Sequence, residues 1–531
     1  MLAVDVGSTS ARAGVFDAQG HMLSSASTPF AVQRPQPDHA EHDSEQIWSA
    51  VGESVRQAVG ACGCPASAIR GVAFDATCSL VMLDASGAPV TASTTGEDCW
   101  NVVMWADHRA ISEAREITAT GHAALDYVGG TMSPEMELPK LLWLKRHLPA
   151  AWARYGQAMD LADFLTWRAT GVVTASACTV TCKWAYLNHA TPGWQDDLLA
   201  RIGLGGLQQR LRLPAQASQV GGRAGDLSAE TAQAWGLARG IAVGVSMIDA
   251  HAGALGVLGA TSAIEFDNCL ALIAGTSNCH MALSRQARAV PGVWGPYFGA
   301  LLPGWWLNEG GQSASGSLLD HLLDSHVLGA SLGPDRHAAM GNYLVRRRAE
   351  AGAAYARDVL VVPDFHGNRS PLAETDVRGV VHGLNLDGSM EGLAKLYHAA
   401  AVGIAYGTRH IIDALNASGY RITRLHMTGG HAKNPLLVRL YADATGCDVL
   451  LPREADAVLL GTALVAATAA QEYGDLLAAG HSMVHTRERV APDPVAGDVH
   501  RQGYAAFRRM LEQRREVQAI LQGNRQTRHT L

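Results

Sequence analysis

Residues 2–16, LAVDVGSTSARAGVF, decide the fold: an apolar run leads into a glycine and three hydroxyl residues, and a second apolar run follows. This pattern predicts a strand, a tight turn and another strand. It returns at residues 270–283, LALIAGTSNCHMAL, where Gly275 aligns with Gly7 at an offset of 268 residues. That offset is close to half of the 531 residues. The chain is therefore read as two related halves, with two unrelated hairpins as the alternative.

Both turns have the chemistry of a phosphate site. A turn of glycine and hydroxyl residues exposes successive backbone N–H groups and side-chain O–H donors, which suit phosphate oxygens. Asp5 stands just before the first turn, where a carboxylate can hold Mg²⁺ directly or through water. The second copy has Ile273 at that position. The two halves thus share the phosphate-binding turn, but only the first has a carboxylate for the metal. Such an asymmetry would suit a nucleotide that is bound by two unlike halves.

Length and composition exclude several classes of protein. Length alone suggests three or four domains, and 48% hydrophobic with 17% charged residues is typical of a globular chain with sizeable cores. The net charge of −7 gives no basic surface for nucleic acid or an anionic membrane. Only five of the 42 basic residues are lysines, and none stands in a G-x-x-x-x-G-K-[ST] motif, which excludes a P-loop nucleotide site.

Cysteine usage and hydropathy predict a soluble, cytoplasmic protein. Nine scattered cysteines form neither a disulfide framework nor a paired zinc motif, which favours a reducing compartment. The first residues lack the basic region of a signal peptide. The most apolar segment, 457–470, is too short to span a membrane and is read as a buried helix.

Apolar periodicity predicts alternating strands and helices, and hence the α/β class. Strands are predicted at 69–83, at 424–427 and at the start of 240–256. Helices are predicted at 44–61, 104–120, 139–153, 393–417, 435–445, 456–470 and 499–522.

Five motifs carry a resemblance to a known family, namely DVGSTSARAGVFD from Asp5, PKLLWLK from Pro139, DAHAGALG from Asp249, AGTSNCH from Ala274 and TGGHAKNPLL from Thr428. In this order and spacing they resemble the FGGY family of carbohydrate kinases, over about residues 1–470. FDATCSLV, WADHR, CTVTCKW, WLNEGGQS and PDFHGNRSPLA are similar to the pentulose-kinase branch, most closely to its D-ribulokinase-like members.

The resemblance implies two ribonuclease H-like domains of the actin and sugar-kinase superfamily, with the active site in the cleft between them. We expect an N-terminal sugar-binding domain with the first phosphate turn at 1–255 and a C-terminal nucleotide-binding domain at 256–475. Residues 476–531 would form an extension with a docking helix. A homodimer is common among such kinases, and neither nucleic acid nor membrane is expected as a partner.

The resemblance also assigns site residues. Asp249, which follows an apolar strand, is expected to be the general base; from the residues alone, a helix-capping aspartate is the alternative. Asp5 and Asp249 would be associated with Mg²⁺. Arg12 has a surface position on the hairpin as its alternative. The residues expected to bind ATP are Thr9, Ser10, Arg12, Gly275, Thr276, Ser277, Gln312, Gly429, Gly430 and Asn434.

The sugar pocket is expected around Lys183, the only lysine between Lys145 and Lys395. A lone cation in an apolar, cysteine-containing segment indicates a partner or a ligand. Trp105 is read as closing over the sugar, with core packing as its alternative. The full expected set is Thr77, Trp105, Asp107, Lys183, Asp249 and Glu309.

Together with the resemblance, these residues predict an ATP-dependent and Mg²⁺-dependent kinase that converts D-ribulose to D-ribulose 5-phosphate. L-ribulose or another pentulose or pentitol is the nearest alternative. Glycerol is disfavoured because the sugar-facing segments lack the Arg-Glu pair of glycerol kinases. An actin-like or chaperone-like ATPase switch is the alternative from another class. The sugar-facing residues and the lack of a recognisable peptide-binding domain count against it.

Overall fold

The computed structural model describes residues 1–526, with side chains to residue 521, and it has the alternation of strands and helices expected from the sequence. In this part of the chain the strands are β1 (Leu2–Val6), β2 (Ser10–Phe16), β3 (Met22–Pro29), β4 (Glu41–His42), β5 (Gly71–Ala76), β6 (Leu80–Leu83), β7 (Val102–Val103), β8 (Gln157–Asp160), β9 (Arg223–Asp226), β10 (Ala242–Gly244), β11 (Met247–Ile248), β12 (Cys269–Ala274), β13 (Asn278–Ser284), β14 (Trp294–Phe298), β15 (Trp306–Gln312), β16 (Leu360–Val362), β17 (Val380–His382), β18 (Arg424–Thr428), β19 (Asp448–Pro452) and β20 (Thr486–Val490).

The α-helices of the same residues are α1 (Ser44–Ala61), α2 (Ile111–Ala119), α3 (Glu137–His147), α4 (Pro149–Arg154), α5 (Leu161–Thr170), α6 (Ala177–Lys183), α7 (Asp196–Arg201), α8 (Leu207–Arg210), α9 (Ala229–Trp235), α10 (Asp249–Leu258), α11 (Gly316–Ser325), α12 (Arg336–Ala351), α13 (Met390–Ala417), α14 (Pro435–Thr445), α15 (Ala457–Ala469), α16 (Leu476–Met483) and α17 (Gly497–Gln526). Short 3-10 helices lie at Ala66–Ala68, Ala123–Tyr127, Ala263–Asn268, Ala330–Leu332, Gly352–Ala354 and Gly430–Lys433.

Both predicted strand–turn–strand units are present, as β1–β2 and β12–β13, and α1 and α14 have the predicted bounds. Two helix predictions were wrong. The helix expected at 104–120 is only α2, because Asp107 and Arg109 hold the preceding segment in a non-helical cluster. The helix expected at 139–153 is divided into α3 and α4, because Pro149 cannot continue a helix but suits the first turn of a new one.

The contacts within the chain define two compact units, each discontinuous in sequence. Unit 1 consists of Met1–Asp267, Met281–Glu309 and Pro452–Thr486. Unit 2 consists of Asn268–His280, Gly310–Leu451 and, among the described residues, 487–526. The domain bounds expected from the sequence, which are contiguous segments, stay a prediction.

The main sheet of unit 1 has the strand order β3-β2-β1-β5-β10-β9, with β11 also paired to β5. β1 is antiparallel to β2 and parallel to β5, and β5 is parallel to β10 and β11. Leu2, Val4 and Val6 point into a core that includes Ile47 and Val55 of α1. Since side chains alternate along a strand, Ala3 and Asp5 lie on the opposite face.

On that opposite face, α15 is apolar and buried around almost its whole circumference. It lies against α10 with the two backbones in direct contact. A Cβ on Gly256 would collide with the carbonyl oxygen of Ala457, and a Cβ on Gly461 would collide with that of Ala252. Only glycine fits at these two positions. Among the described residues, no helix is both long enough and apolar enough to cross a membrane.

Unit 2 contains β12, β18 and β19 as parallel neighbours. Its C-terminal helix α17 is joined to the rest of unit 2 through Phe507 and Arg514. The rings of Phe507 and Tyr406 lie 5.8 Å apart. The buried Arg514 donates to Asp364 at 2.5 Å and to Glu374 at 3.1 Å. The C-terminal segment is therefore an integral layer of unit 2.

Candidate active site

Three ionisable side chains lie in line across the main sheet of unit 1. Asp5 of β1 is in register with Arg12 of β2 on one side and with Asp75 of β5 on the other. The Arg12 Nε donates to Asp5 Oδ2 at 2.6 Å. Burial is the main cause that raises the pKa of both carboxyl groups, and for Asp75 the charge of Asp5 adds to it. The sheet thus concentrates acidic groups at the end of β1, directly before the first glycine–hydroxyl turn.

Two residues at the start of helix α15 hydrogen-bond to Arg12 and Asp75. Asp456, which caps the helix by accepting from the Leu459 N–H, also accepts from Arg12 Nη1 at 2.6 Å. One turn into the helix, the Thr462 hydroxyl donates to Asp75. Arg12, expected to face phosphate, therefore has its guanidinium held between two carboxylates.

Asp249 begins α10 directly after β11, whose Ile248 is in register with Ala76 of β5. Its carboxylate is partly accessible to solvent and accepts from the Ala250 N–H at 2.7 Å. Desolvation by the surrounding protein, and then the charge of Asp5, raise its pKa to about 7. A carboxylate that is accessible and titrates near neutral pH has the properties of a general base.

The acidic row also has the donor set for a hard cation. Mg²⁺ is bound in proteins by carboxylate oxygens together with water and substrate phosphates. Asp75 Oδ1 is buried and has no hydrogen-bond partner among the described residues. Asp5, which the sequence associates with Mg²⁺, is in register with Asp75 and so lies beside this unpartnered oxygen donor. The charge of Asp5 also acts on Asp249, the second residue that the sequence associates with Mg²⁺, and the donor types present fit such an ion.

Lys183 ends α6 and is only 3% exposed. Within the part of the chain that the structure describes, it makes no ion pair at salt-bridge distance; its Nζ lies 4.6 Å from the ring centroid of Trp294. Trp294 of β14 is in register with Glu309 of β15. Burial alone would lower the pKa of Lys183, but the neighbouring Cys78 and Glu309 groups keep it above its ordinary value. A buried cation without a salt-bridge partner is available to hold a ligand.

Trp105 is joined to the first turn through hydroxyl groups. Its indole Nε1 donates to Ser8 Oγ at 3.0 Å, and its backbone N–H donates to Ser79 Oγ at 3.1 Å. Ser79 in turn hydrogen-bonds with Thr77 Oγ1 at 3.2 Å. The predicted sugar residues Thr77 and Trp105 are therefore in one hydrogen-bonded chain with the turn.

Asp107 is engaged entirely within the protein. Its carboxylate accepts from the Ala40 N–H at 2.7 Å and from two guanidinium nitrogens of Arg109 at 2.7–2.8 Å. Arg109 also donates to the buried Glu41 at 2.7 Å. The carboxylate oxygens of Asp107 are thus already hydrogen-bonded within a buried cluster of charged side chains.

The second turn lies in unit 2, and backbone N–H groups at the start of α11 donate to its carbonyl oxygens. The N–H groups of Ser315 and Ser317 donate to Thr276 O at 3.1 Å, and that of Gly316 donates to Gly275 O at 3.0 Å. Thr276 is exposed at the tip of the turn, as Thr9 is in the first turn. Both turns therefore present an exposed threonine, and in the second turn hydrogen bonds from α11 fix the backbone that carries it.

A buried hydrogen-bond network extends from this turn. Asn278 accepts from Ser315 Oγ at 2.7 Å and donates to Gln312 at 2.8 Å and to the Tyr441 hydroxyl at 2.9 Å. Tyr441 hydrogen-bonds with His431 at 3.1 Å. The amide nitrogen of Gln312 donates to Ile404 O at 2.9 Å. The side chain of Gln312, expected to contact ATP, is thus committed to the network.

The glycine pair predicted to contact ATP lies at the end of β18. A Cβ on Gly429, whose φ is +93°, would collide with Ala274 O at the end of β12, whereas Gly430 faces open space. The loop therefore lies directly against the residue before the second turn. Asn434 caps α14 by accepting from the Leu436 N–H at 3.0 Å, and its amide group lies beside Gly341.

Sequence reasoning missed several of these residues. Asp75 was detectable, because it is the next-to-last residue of an apolar strand within FDATCSLV, as Asp5 is in β1. Asp456 was not, since it is 444 residues from Arg12 along the chain. His251, read as structural, lies with its Nε2 at 3.4 Å from Cys182 Sγ and 3.7 Å from Glu309 Oε2.

Comparison with known proteins agrees with these features. A protein of Danio rerio described as an FGGY carbohydrate kinase domain-containing protein is 42% identical over 540 residues, covering 98% of each chain. A D-ribulokinase of Saccharomyces cerevisiae is 36% identical over 513 residues, covering 88% of this chain and 72% of its own. The crystal structure of a xylulose kinase from Rhodospirillum rubrum is 23% identical, with a TM-score of 0.79, and covers 96% of this chain and 98% of its own.

That structural likeness confirms the predicted sugar-kinase fold. The models of the N-terminal and C-terminal domains of the FGGY family of carbohydrate kinases match residues 1–256 and 270–470. Since these matches span most of the chain and the Danio rerio relative spans nearly all of it, the chain belongs to the FGGY family of carbohydrate kinases and is a phosphotransferase of that class.

Proposed function

We propose that the protein transfers the γ-phosphoryl group of ATP to the terminal 5-hydroxyl of a ketopentose, and that the ketopentose is D-ribulose. The observation that carries this proposal is the partly accessible carboxylate of Asp249, whose pKa is raised to about 7. The 36% identity to a D-ribulokinase supports the choice of sugar. The product is then D-ribulose 5-phosphate.

Asp249 accepts the proton of the sugar hydroxyl as its oxygen attacks the γ-phosphorus. The new O–P bond forms while the bond from the γ-phosphorus to the bridging oxygen breaks, and ADP leaves. A carboxylate with a pKa near the working pH is ionised often enough to act and is basic enough to accept the proton. Its position at the start of α10, beside β5, fixes its direction.

The sugar is held by Lys183 and Glu309. Both are buried, with exposures of 3% and 5%, and Trp294 contacts the first and is in register with the second. A cation and a carboxylate can hydrogen-bond several hydroxyls of a ketopentose, and the tryptophan offers its ring face to the sugar carbons. Thr77 and Trp105 complete this pocket in our proposal.

Thr9, Ser10 and Arg12 of the first turn are phosphate-binding residues in our proposal. The same role is proposed separately for Gly275–Ser277 of the second turn, in unit 2. Gly429 and Gly430 allow the nucleoside to approach the backbone. A Mg²⁺ ion held by Asp5 and Asp249 would supply positive charge to the phosphate oxygens. Arg12, kept in place by Asp5 and Asp456, adds a further positive charge where the transferred group carries negative charge.

The decisive experiment is a coupled assay of ADP release with D-ribulose, L-ribulose, D-xylulose, L-xylulose, ribitol and glycerol as acceptors. We expect the highest kcat/KM with D-ribulose. A higher value with L-ribulose or a pentitol would reassign the substrate within the same reaction. ATP turnover that no sugar increases would overturn the kinase proposal and favour an ATPase switch.

A further inference from the structure

Cys182, His251 and Glu309 form a buried group of three different donor atoms in unit 1. The Cys182 sulfur lies 3.4 Å from His251 Nε2, which lies 3.7 Å from Glu309 Oε2. All three side chains are buried, and their donor atoms lie within 4.8 Å of one another. Among the described residues, this is the one group of at least three such side chains with converging ligand atoms.

The donor types and spacings suit a thiophilic divalent cation. Zn²⁺ takes thiolate, imidazole and carboxylate ligands in tetrahedral geometry, with bonds of about 2.0–2.3 Å. Such bonds place neighbouring donor atoms at about 3.3–3.8 Å, which is the spacing of the two closest pairs here. A Cys-His-Glu set leaves the fourth position to water or a ligand.

The donors are also available. Glu309 Oε2 is buried without a hydrogen-bond partner in the described part of the chain. One thiolate and one carboxylate balance the two charges of the cation, so the site stays neutral beside Lys183.

We propose that Cys182, His251 and Glu309 bind one Zn²⁺ ion per chain, with loss of the Cys182 thiol proton to solvent. The thiol is the defining ligand, because Mg²⁺ prefers oxygen donors and does not compete for sulfur. The site is thereby chemically distinct from the carboxylate row around Asp5.

Occupation of this site has a consequence that rests on the proposed function. Glu309 cannot ligate Zn²⁺ through Oε2 and also offer that oxygen to a sugar hydroxyl. Zn²⁺ therefore competes with the ketopentose and raises its KM, while the KM for ATP stays the same. Chelation restores the original KM.

The primary test measures the metal without using activity. Full-length protein treated with EDTA and freed of chelator is titrated with Zn²⁺ against a chromophoric competitor, and separately with Co²⁺ under anaerobic conditions. We expect one equivalent of Zn²⁺ bound at micromolar or lower Kd, and a thiolate-to-Co²⁺ charge-transfer absorption. Cys182→Ser and His251→Asn should each weaken Zn²⁺ binding at least 100-fold. Cys447→Ser, which removes a buried thiol in unit 2, should bind as the parent does.

Two results would overturn the site: no stoichiometric Zn²⁺ uptake by the parent protein, or equal uptake by the parent and Cys182→Ser. Circular dichroism of each variant shows that it is folded, and the Co²⁺ spectrum of the parent tests thiolate ligation without any substitution. If no sugar is phosphorylated but Zn²⁺ binds as described, the metal site stands and the proposed function fails. If a sugar is phosphorylated but Zn²⁺ is not taken up, the proposed function stands and the metal site fails.

Discussion

Asp5 and Asp75 are direct partners in the parallel register of β1 and β5, so two buried carboxyl groups lie side by side where the strands end. Two adjacent carboxylates in a protein interior repel each other. Either one of them binds a proton, or a nearby cation compensates their charge. Arg12 compensates Asp5 from the other neighbouring strand. Burial and the charge of Asp5 raise the pKa of Asp75 well above its ordinary value, whereas Arg12 acts to lower that of Asp5.

The first prediction concerns the metal. Asp5→Asn removes a carboxylate charge from the row while keeping its shape, so we expect the Mg²⁺ concentration for half-maximal turnover to rise at least tenfold. The assay is ADP release at fixed ATP with Mg²⁺ varied after EDTA treatment. Asp226→Asn, at an exposed position on β9 of the same sheet, serves as control and should match the parent. An unchanged Mg²⁺ requirement in Asp5→Asn would remove Asp5 from the metal site.

The second prediction concerns the base. Asp249→Asn keeps the size of the side chain but cannot accept the proton, and kcat should fall by about 10²–10⁴, the usual contribution of general base catalysis. Binding of D-ribulose, measured by calorimetry in the absence of ATP, should stay within a few-fold of the parent. Turnover equal to that of the parent would show that another group takes the proton.

The third prediction is a pH profile. Because Asp249 acts as a base only when ionised and its pKa is about 7, kcat/KM should rise with pH through that value and level off above it. Below it, activity should fall about tenfold per pH unit, as for one essential ionisation. The remaining activity of Asp249→Asn should lack this limb. A limb near pH 4 in the parent protein would contradict the raised pKa.

The fourth prediction compares the two buried lysines. Lys183→Met removes a buried cation that has no salt-bridge partner among the described residues, so the KM for D-ribulose should rise at least tenfold without loss of stability. Lys140 instead pairs with the fully buried Glu137 at 3.3 Å. Lys140→Met leaves that carboxylate unpaired and should lower the free energy of unfolding by about 3–5 kcal/mol.

Urea denaturation and substrate kinetics on both lysine variants check this contrast. If Lys183→Met is as destabilised as Lys140→Met and its KM for the sugar is unchanged, Lys183 has only a structural role.

The fifth prediction tests the network behind the second turn. Tyr441→Phe removes the hydroxyl that joins Asn278 to His431, so the KM for ATP should rise several-fold while the KM for the sugar stays the same. Tyr397→Phe is the matched control, since Tyr397 is equally buried and hydrogen-bonds with His337 outside the network. Equal effects of the two substitutions on both KM values would show that the network does not position the turn.

The two turns were predictable because their signal is local. The glycine, the hydroxyl residues and the flanking apolar runs specify strand, turn and strand within fifteen residues, and the structure confirms both units. Asp249 was recognised as an aspartate that follows an apolar strand, but the residues alone left a helix cap as the alternative. Its assignment as general base rests on the resemblance to the family and stays a prediction. In each case the residues that determine the backbone are also the residues that present the polar groups.

Contacts between distant segments could not be predicted in this way. Nothing near Arg12 in the sequence indicates that Asp456 will accept from it. Asp107 was grouped with the sugar residues, yet the structure surrounds it with Arg109 and Ala40. Such pairings depend on which elements pack together, and that is decided by the apolar cores.

The glycine contact between α10 and α15 has a consequence for anyone altering this protein. α15 carries Thr462, which bonds to Asp75, and is capped by Asp456, which bonds to Arg12. Replacing Gly461 by alanine would introduce a single methyl group, yet it would push the helix outward and disturb both bonds together. A directed-evolution library should therefore leave Gly256 and Gly461 unchanged, although neither position touches a substrate in the proposed mechanism.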